Sequence, residues 1–256
     1  MIGFFRKIRK QLADDNKPLK YMRYAIGEIV LVVVGILIAL QINAWNGERK
    51  DRKLEINYLE NLKKELVFNI QLALEQNEFS DFQIKNGELI LASLESNFRQ
   101  NPMELVIALE HIGWNHEIIF ISDVWGELYA TGNIGIIKNN EIKSKLTDIY
   151  NVMSLVNKFQ ENEWSAYNFG VRRLLGDVLS PAIRLKIYEN LEPSGYTGEK
   201  INIPNQDRTI EKLKDLEGLN GYIVDIIGTR KTSNVFMLGQ IEGMKSVIAL
   251  INKELE

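Results

Sequence analysis

The sequence predicts an all-α protein in which an N-terminal transmembrane helix continues into a long helix, followed by a bundle-like helical domain outside the cytoplasm. Three observations carry this prediction. A segment of spanning length near the N-terminus is almost wholly apolar, the segment after it repeats Leu and Ile at intervals of three and four, and no stretch shows a compelling strand pattern. The predicted parts are a basic cytoplasmic tail (1–23), a transmembrane helix (24–45) and an extracytoplasmic domain (46–256).

The transmembrane helix is predicted from one apolar segment, Ala25–Ile42, in which the only strongly polar residues are Glu28 and Gln41. At about 1.5 Å per residue this segment spans roughly 27 Å, close to the thickness of a hydrocarbon core. Aromatic residues suited to the membrane interface flank it: Tyr21, Tyr24 and Trp45. A buried core helix and a cleaved signal peptide are the alternatives. The uniformly apolar surface argues against the first, and the missing small residues of a cleavage site argue against the second.

Basic residues predict how this helix is oriented. Seven Lys and Arg precede the apolar segment and four follow it closely, so the positive-inside rule favours a cytoplasmic N-terminus. No later stretch is expected to span a membrane, because the apolar runs near the C-terminus are interrupted by charged residues. The C-terminal domain is therefore predicted to lie on the outer side.

Charge and composition exclude several classes of function. The tail 1–23 carries a net charge of +5 and the body 46–256 a net charge of −7. This asymmetry places the tail near anionic lipid head groups and argues against nucleic acid as the main partner of the body. The sequence contains no cysteine, which excludes disulfides, thiolate catalysis and cysteine-ligated metals.

One face of the predicted transmembrane helix is a candidate helix–helix interface. Glu28, Gly35, Ala39 and Asn43 share this face at the helical period. Gly35 and Ala39 form a small-xxx-small pair, which lets two helices approach closely, and Asn43 could hydrogen-bond across such a contact. An ionisable residue within a span is a functional candidate. The alternative for Glu28 is a boundary residue that reaches head groups or pairs with a nearby basic side chain.

The domain after the membrane is predicted to be helical almost throughout. The first helix runs from about residue 49 to 98, and its apolar stripe is Leu59, Leu62, Leu66, Ile70 and Ala73. Further helices are expected at 103–111, 123–130, 141–176, 181–191 and 207–216, with a loop at 192–206. Gly218 and Gly221 are expected to interrupt the chain before a final helix that runs to Glu256. The runs 118–121 and 134–137 are short and β-like, but turns or buried helix ends explain them as well.

Several residues are expected to cap or interrupt these helices. Gly132 suits the position just past a helix end, and the Asn139-Asn140 pair suits the cap of the next helix. Gly87 marks a kink or break in the long helix. Three asparagines of that helix are expected to face solvent, with a register-setting buried role as the alternative: Asn61, Asn69 and Asn77.

No motif of a known chemistry is found. The two histidines, His111 and His116, are five residues apart and do not share a helical face, so no metal site is predicted. There is neither a P-loop nor a dinucleotide-binding pattern nor a nucleophile elbow, and no cofactor is expected. Arg172-Arg173 is interpreted as a solvated or salt-bridged pair rather than an anion site. The aromatic residues either belong to the core or line a pocket, and the candidate pocket residues are Trp114, Trp125, Tyr129 and Trp164, with Phe120 and Tyr167 nearby in sequence.

The anchor sequence YAIGEIVLVVVGILIALQINAWN, preceded by FFRKIRKQL, resembles a large uncharacterised family of bacterial membrane-anchored proteins. The stretches WGELYATGNIGIIKNNEIKSKLTDIYN and IEGMKSVIALINKELE are similar to later blocks of that family. The resemblance implies a single-pass helical protein of Gram-negative bacteria, with the anchor in the inner membrane and the domain in the periplasm. It implies no activity and no catalytic residues.

The function predicted from these features is non-enzymatic. The protein is expected to be an anchored interaction or scaffold subunit that contacts membrane lipids, self-associates through its anchor and presents helical surfaces to a protein partner. The alternative is a sensor-like domain that binds a ligand in the aromatic cluster and signals through a membrane partner. An enzyme would require a closed aromatic pocket with convergent carboxylates.

Overall fold

The computed structural model describes residues 18–95, 102–114, 118–176, 178–192, 195–202 and 211–256. Its fold is all-α, as predicted. The helices are α1 (Pro18–Glu95), α2 (Pro102–Ile112), α3 (Asp123–Ala130), α4 (Asn140–Leu175), α5 (Pro181–Tyr188) and α6 (Leu219–Leu255), with a 3₁₀ turn at Asn133–Ile136 and strands β1 (Leu191–Glu192) and β2 (Gly195–Tyr196).

The predicted caps of the middle helices are confirmed. Gly132 adopts a left-handed φ of 71° after the C-cap of α3, where a side chain would be strained. The side chain of Asn139 accepts hydrogen bonds from the backbone N–H groups of Glu141 (3.0 Å) and Ile142 (3.2 Å), which have no partner inside α4. Pro181 begins α5, and the hydroxyl of Ser180 accepts from the N–H of Ile183.

Two predicted boundaries are wrong. Helix α5 ends at Tyr188 rather than near residue 191, because the chain turns into a hairpin inside the predicted loop. In this hairpin Leu191 pairs with Tyr196 and Glu192 with Gly195. Strands of two residues are too short to show a period in sequence. The predicted helix 207–216 ends at residue 214 rather than at 216. Its predicted first residues, 207–210, lie outside the described residues.

The glycines of the long helices act differently from the prediction. Gly87 does not end α1, which continues to Glu95: a Cβ at this position would lie 2.6 Å from Cγ1 of Ile227 on α6, so the glycine allows close contact between two helices. Gly218 begins α6 with a left-handed φ of 85°, whereas Gly221 lies inside that helix. The sequence signal for a break was therefore correct at Gly218 alone of these three.

The described chain divides into two compact units, residues 1–57 and 58–256. The described part of the first unit is the N-terminal portion of α1, residues 18–57, which contains the apolar segment and the charged residues that follow it. The second unit contains the rest of α1 and every later element. Helix α1 here runs parallel to α4, since Glu65 bonds Tyr150 and Asn69 contacts Met153. Helix α6 is antiparallel to both.

Contacts across the second unit establish that direction. Lys145 on α4 bonds Ser246 at 3.3 Å, and a Cβ on Gly243 would touch Ile149. Higher residue numbers on α4 therefore meet lower residue numbers on α6, so the two helices are antiparallel. The unit is thus a three-helix bundle of α1, α4 and α6. Its main core consists of the predicted stripe of α1 together with apolar residues of α4 and α6, including Leu62, Leu66, Leu146, Met244 and Val247.

Candidate functional site

The apolar segment of α1 carries its hydrophobic side chains on every side. Its most apolar 18-residue window has a mean hydropathy of 2.6, and none of that window is buried. Large apolar side chains from Ile26 to Trp45 are exposed. A soluble protein rarely exposes so much contiguous apolar surface. This helix is therefore long and apolar enough to span a membrane.

The predicted interface face lies on this exposed segment. A Cβ added at Gly35 would meet nothing within 4 Å, so the space beside this glycine is open. Ala39 and Asn43 are exposed, and Glu28 is partly exposed. The four residues remain on one helical face because α1 continues unbroken through them. The side chains of Tyr21 and Tyr24 lie outside the described residues.

A second helix also meets the length and composition of a membrane span, contrary to the expectation that none follows. This helix is α6, whose most apolar window has a mean hydropathy of 1.2 and is 28% buried. One side of α6 supplies core residues to the bundle, among them Ile241, Met244 and Ile251. An amphipathic core helix accounts for these properties.

The predicted aromatic pocket residues occupy two separate clusters. Trp125 stacks on Tyr150 with the ring centroids 5.1 Å apart, and its edge meets Tyr129 at the same distance. Trp125 is buried and belongs to the main core with Phe120. Trp114 instead packs near His111, beside a different core cluster. The side chains of Trp164 and Tyr167 lie outside the described residues, so the structure brings together only Trp125 and Tyr129 of the four candidates.

A buried polar network surrounds the first cluster. The carboxylate of Glu65 accepts hydrogen bonds from the hydroxyl of Tyr150 and from the N–H of Val124 (2.8 Å), one of the unpaired donors at the start of α3. Burial, followed by the hydrogen bond and charge of Glu65, raises the pKa of Tyr150 above its ordinary value. Glu65 therefore caps α3 from a neighbouring helix and keeps Tyr150 protonated.

Two asparagines hold the segment 118–122 that leads into α3 and is neither helix nor strand. The amide of Asn69 accepts from the N–H of Ile121 (3.0 Å) and donates to its carbonyl (2.8 Å). Asn157 on α4 makes the same pair of bonds to Phe120 (3.1 and 3.2 Å). The two asparagines therefore bond all the backbone polar groups of two successive residues, one from α1 and one from α4. Asn69 is fully buried, so its predicted solvent-facing position is wrong.

The cavity beside this network is small. It measures about 220 Å³ and is lined by Phe120, Ser122, Tyr150, Met153, Ser154, Asn157 and Lys158. Small-molecule sites usually measure roughly 300–1,000 Å³. The asparagines and Glu65 are already bonded to backbone and Tyr150, so we interpret this network as one that fixes the fold of residues 118–124.

The second aromatic cluster surrounds His111. This histidine is fully buried, and its ring centroid lies 4.3 Å from that of Phe82 and 5.7 Å from that of Trp114. Its Nε2 lies 3.3 Å from the carbonyl oxygen of Glu192, which ties the hairpin to α2. Gln83 donates to the carbonyls of Ile112 (3.2 Å) and Trp114 (2.7 Å) and so satisfies the end of α2.

A cleft opens beside this cluster. It has a volume of about 620 Å³ and is lined by Trp114, Gly176, Pro181, Arg184, Leu185 and Tyr188. Arg184 forms a two-point ion pair with Glu110, a buried residue of α2. Burial disfavours the charged guanidinium, but the hydrogen bond and charge of Glu110 outweigh it and raise the pKa of Arg184. The arginine is therefore fixed in position in the wall of the cleft.

Among the described residues, no group of three or more histidine, aspartate or glutamate side chains could hold a metal ion. His116 and the side chains of Arg172 and Arg173 lie outside the described residues, so the predictions made for them stay predictions.

Comparison with known proteins finds one family model that matches part of the chain, and this family has no assigned function. Residues 28–85 match the model of a family of unknown function, DUF6090. No curated protein and no solved structure matches the chain. The matched range contains most of the apolar segment and the part of α1 that carries Glu65, Asn69 and Gln83. The match agrees with the resemblance to an uncharacterised family, and it names no activity.

The buried polar residues were missed in the sequence, although a signal for two of them was present. Asn69 follows Leu66 by three residues and precedes Ala73 by four, and Glu65 follows Leu62 by three, so both lie on or beside the apolar stripe. A polar residue on the buried face of a helix is expected to have a hydrogen-bond partner, because burial without a partner is costly. No comparable signal marks Arg184, which lies in a helix of only eight residues.

Proposed function

We propose that this protein is a membrane-anchored, non-enzymatic interaction subunit. Its N-terminal helix would cross the inner membrane of a bacterium, with the basic tail in the cytoplasm and the helical domain 46–256 in the periplasm. The anchor would self-associate through the face formed by Glu28, Gly35, Ala39 and Asn43. The domain would present its helices to a protein partner.

The observation that carries this proposal is the exposure of the apolar segment on all sides. Such a surface is stable in a bilayer, where every backbone group of a helix is satisfied internally and the side chains face lipid. The open space beside Gly35 supports a helix–helix contact there, because small residues allow two backbones to approach. The DUF6090 match begins within this segment.

Cross-linking and co-purification test the interaction role. The full chain carries a C-terminal tag, is cross-linked in its native membranes at native expression level, and is extracted mildly for mass spectrometry. We expect a cross-linked homodimer together with a stoichiometric protein partner. Gly35→Leu should remove the homodimer because the larger side chain separates the helices, whereas Gly27→Leu, the same change on another side of the helix, should keep it.

Two further outcomes separate the parts of the proposal. Glu28→Gln should still insert and should lose self-association if the carboxylate acts in assembly; unchanged assembly would make Glu28 a boundary residue. Recovery of a monomer without any partner would contradict the interaction role and leave only the anchor.

A second function, a ligand-binding sensor domain, is favoured by the cleft at Trp114, Arg184 and Tyr188. Its volume of about 620 Å³ lies within the range of small-molecule sites. In this second function a bound ligand would act through a partner in the membrane.

A further inference from the structure

The cleft of the second unit combines an immobilised arginine with aromatic walls. Its described lining residues come from three places: Trp114 follows the end of α2, Gly176 follows the end of α4, and α5 contributes Pro181, Arg184, Leu185 and Tyr188. Most of this lining is apolar, and Arg184 is the charged residue among the described ones. A ligand in this cleft would therefore contact flat apolar surfaces and the guanidinium of Arg184.

The hydrogen bonds of Arg184 leave one end of the guanidinium for a ligand. Nε donates to Glu110 (2.5 Å), and Nη2 donates to Glu110 (3.2 Å) and to the hydroxyl of Tyr188 (3.1 Å). No described residue accepts a bond from Nη1, which carries two more N–H donors. Because the Nε–Nη2 edge faces Glu110, Nη1 lies on the far side of the planar group. The side chain of Arg184 remains 19% exposed in the cleft wall.

Charge compensation limits the ligand to a weak anion. The fully buried Glu110 already balances the charge of Arg184, and the pair is neutral as a unit. A dianion such as a phosphate monoester would be repelled by the Glu110 carboxylate held on the same guanidinium. A single carboxylate oxygen can accept from Nη1 at much lower cost, and hydrogen bonds with charged partners are the stronger ones.

We infer that this cleft binds a small monocarboxylate with a flat apolar body. The carboxylate would accept hydrogen bonds from Nη1 of Arg184, and the body would lie against the rings of Trp114 and Tyr188. This assignment deepens the ligand-binding function proposed above and rests on it. It is independent of self-association through the anchor.

Binding of 3-phenylpropanoate to the full chain in lipid nanodiscs tests the inference. The neutral analogue 3-phenylpropan-1-ol has the same body and no charge, and ligand-observed NMR or calorimetry measures both affinities at pH 7. We expect the carboxylate to bind on the order of tenfold more tightly than the alcohol, the size expected for a charged hydrogen bond that the alcohol lacks.

Variants locate the binding in the cleft. Arg184→Lys keeps a cation beside Glu110 but lacks the planar fork, so the preference for the carboxylate should disappear. Trp114→Leu should weaken the carboxylate and the alcohol alike, because it removes a wall that both contact. Lys186→Met is the matched control: it removes an exposed cation of the same helix outside the cleft and should leave both affinities unchanged.

A second variant guards against misfolding. If Arg184→Lys unfolds the chain by circular dichroism, the double variant Glu110→Gln with Arg184→Gln replaces the ion pair by neutral groups of similar size and should likewise lose the preference. Equal binding of carboxylate and alcohol, dependent on Trp114, would overturn the carboxylate assignment and leave a ligand-binding cleft. Absence of binding by both probes would overturn the assignment and the ligand-binding function together.

Discussion

In the bundle, single asparagine side chains bond backbone N–H and C=O groups that a neighbouring strand would bond in a β-sheet. Asn69 and Asn157 each satisfy both backbone groups of one residue in the segment 118–122 before α3, and Glu65 caps the helix that follows. A buried backbone group without a partner costs about 1–3 kcal/mol. These residues therefore explain why a segment without helix or strand can lie against the core.

Replacement of Asn69 by leucine tests this explanation. Asn69→Leu keeps the branched shape and the number of heavy atoms of the side chain and removes both bonds to Ile121, so we expect the free energy of unfolding to fall by about 2–4 kcal/mol. Gln71→Leu is the control on the same helix, where the exposed amide donates a 3.0 Å bond to Glu75, and should change stability by less than about 0.5 kcal/mol. Chemical denaturation of the full chain in detergent measures both variants. An equal loss in the free energy of unfolding would show that the bonds between Asn69 and Ile121 do not stabilise the fold.

The shifted pKa of Tyr150 predicts how stability depends on pH. Burial and then Glu65 raise this pKa, so the folded protein holds the phenolic proton more tightly than the unfolded chain does. The contribution of Tyr150 to stability is therefore complete below about pH 10, the ordinary pKa of tyrosine, and is lost as the pH rises above it.

We therefore expect Tyr150→Phe to be less stable than the wild type at pH 7, because the Glu65 carboxylate loses its donor, but to lose stability less steeply above about pH 10. The measurement is the free energy of unfolding between pH 7 and 11. Tyr129→Phe makes the same chemical change on an exposed ring and should retain the alkaline slope of the wild type. Parallel curves for wild type and Tyr150→Phe would contradict the prediction.

At the scale of elements, the contact between α1 and α6 depends on one glycine. The ideal Cβ of residue 87 would lie 2.6 Å from Cγ1 of Ile227 and 3.2 Å from Cδ1 of Ile112, well inside van der Waals contact. Nearby polar pairs join the same helices: Lys231 bonds Glu88 at 2.9 Å and Asn234 bonds Asp81 at 2.6 Å. These pairs are exposed and contribute little, so the close packing determines the contact.

Gly87→Ala should therefore destabilise the bundle by about 1–3 kcal/mol through overpacking, although alanine favours a helix by up to about 1 kcal/mol. Gly239→Ala on α6, where a Cβ meets nothing within 4 Å, should instead be neutral or stabilising. Thermal and chemical unfolding report both effects. The double variant Gly87→Ala with Ile227→Ala should lose less stability than the sum of the two single changes, because the alanine at 227 makes room. Additive losses would show that the contact is not steric.

At the scale of the whole molecule, the exposed apolar surface is concentrated in one segment. Residues 25–42 present apolar side chains on all sides, whereas the second unit has its own core. Removal of residues 1–45 should therefore give a soluble protein that keeps its helical circular dichroism spectrum. Sedimentation without detergent measures this. Aggregation of the shortened chain would show that the exposed apolar residues of α6, such as Val235 and Leu238, also need a membrane or a partner.

The proposed orientation gives a second prediction for the whole molecule. The sequence has no cysteine, so single introduced thiols report their own location. A membrane-impermeant maleimide should label Lys253→Cys, an exposed position of α6, in cells whose outer membrane has been permeabilised. Lys10→Cys in the tail should react only after lysis. The reverse pattern would place the domain in the cytoplasm.

The helices could be predicted largely from sequence because their signals are local. The stripe Leu59, Leu62, Leu66 and Ala73 predicted the core face of α1, and the Asn139 cap predicted the start of α4. The candidate pocket could not be predicted in the same way. Trp114 and Trp125 are eleven residues apart in sequence but belong to different clusters, and Arg184 meets Glu110 across 74 residues.

The sequence by itself determined the apolar segment, the periods of the long helices and their caps, because each depends on residues within a few turns of one another. Only the tertiary structure decided that Asn69 and Glu65 are buried, that Gly87 is a helix–helix contact rather than a helix end, and that Arg184, Trp114 and Tyr188 line one cleft. Burial and pairing depend on which distant surface covers a residue, and that surface exists only once the helices have packed.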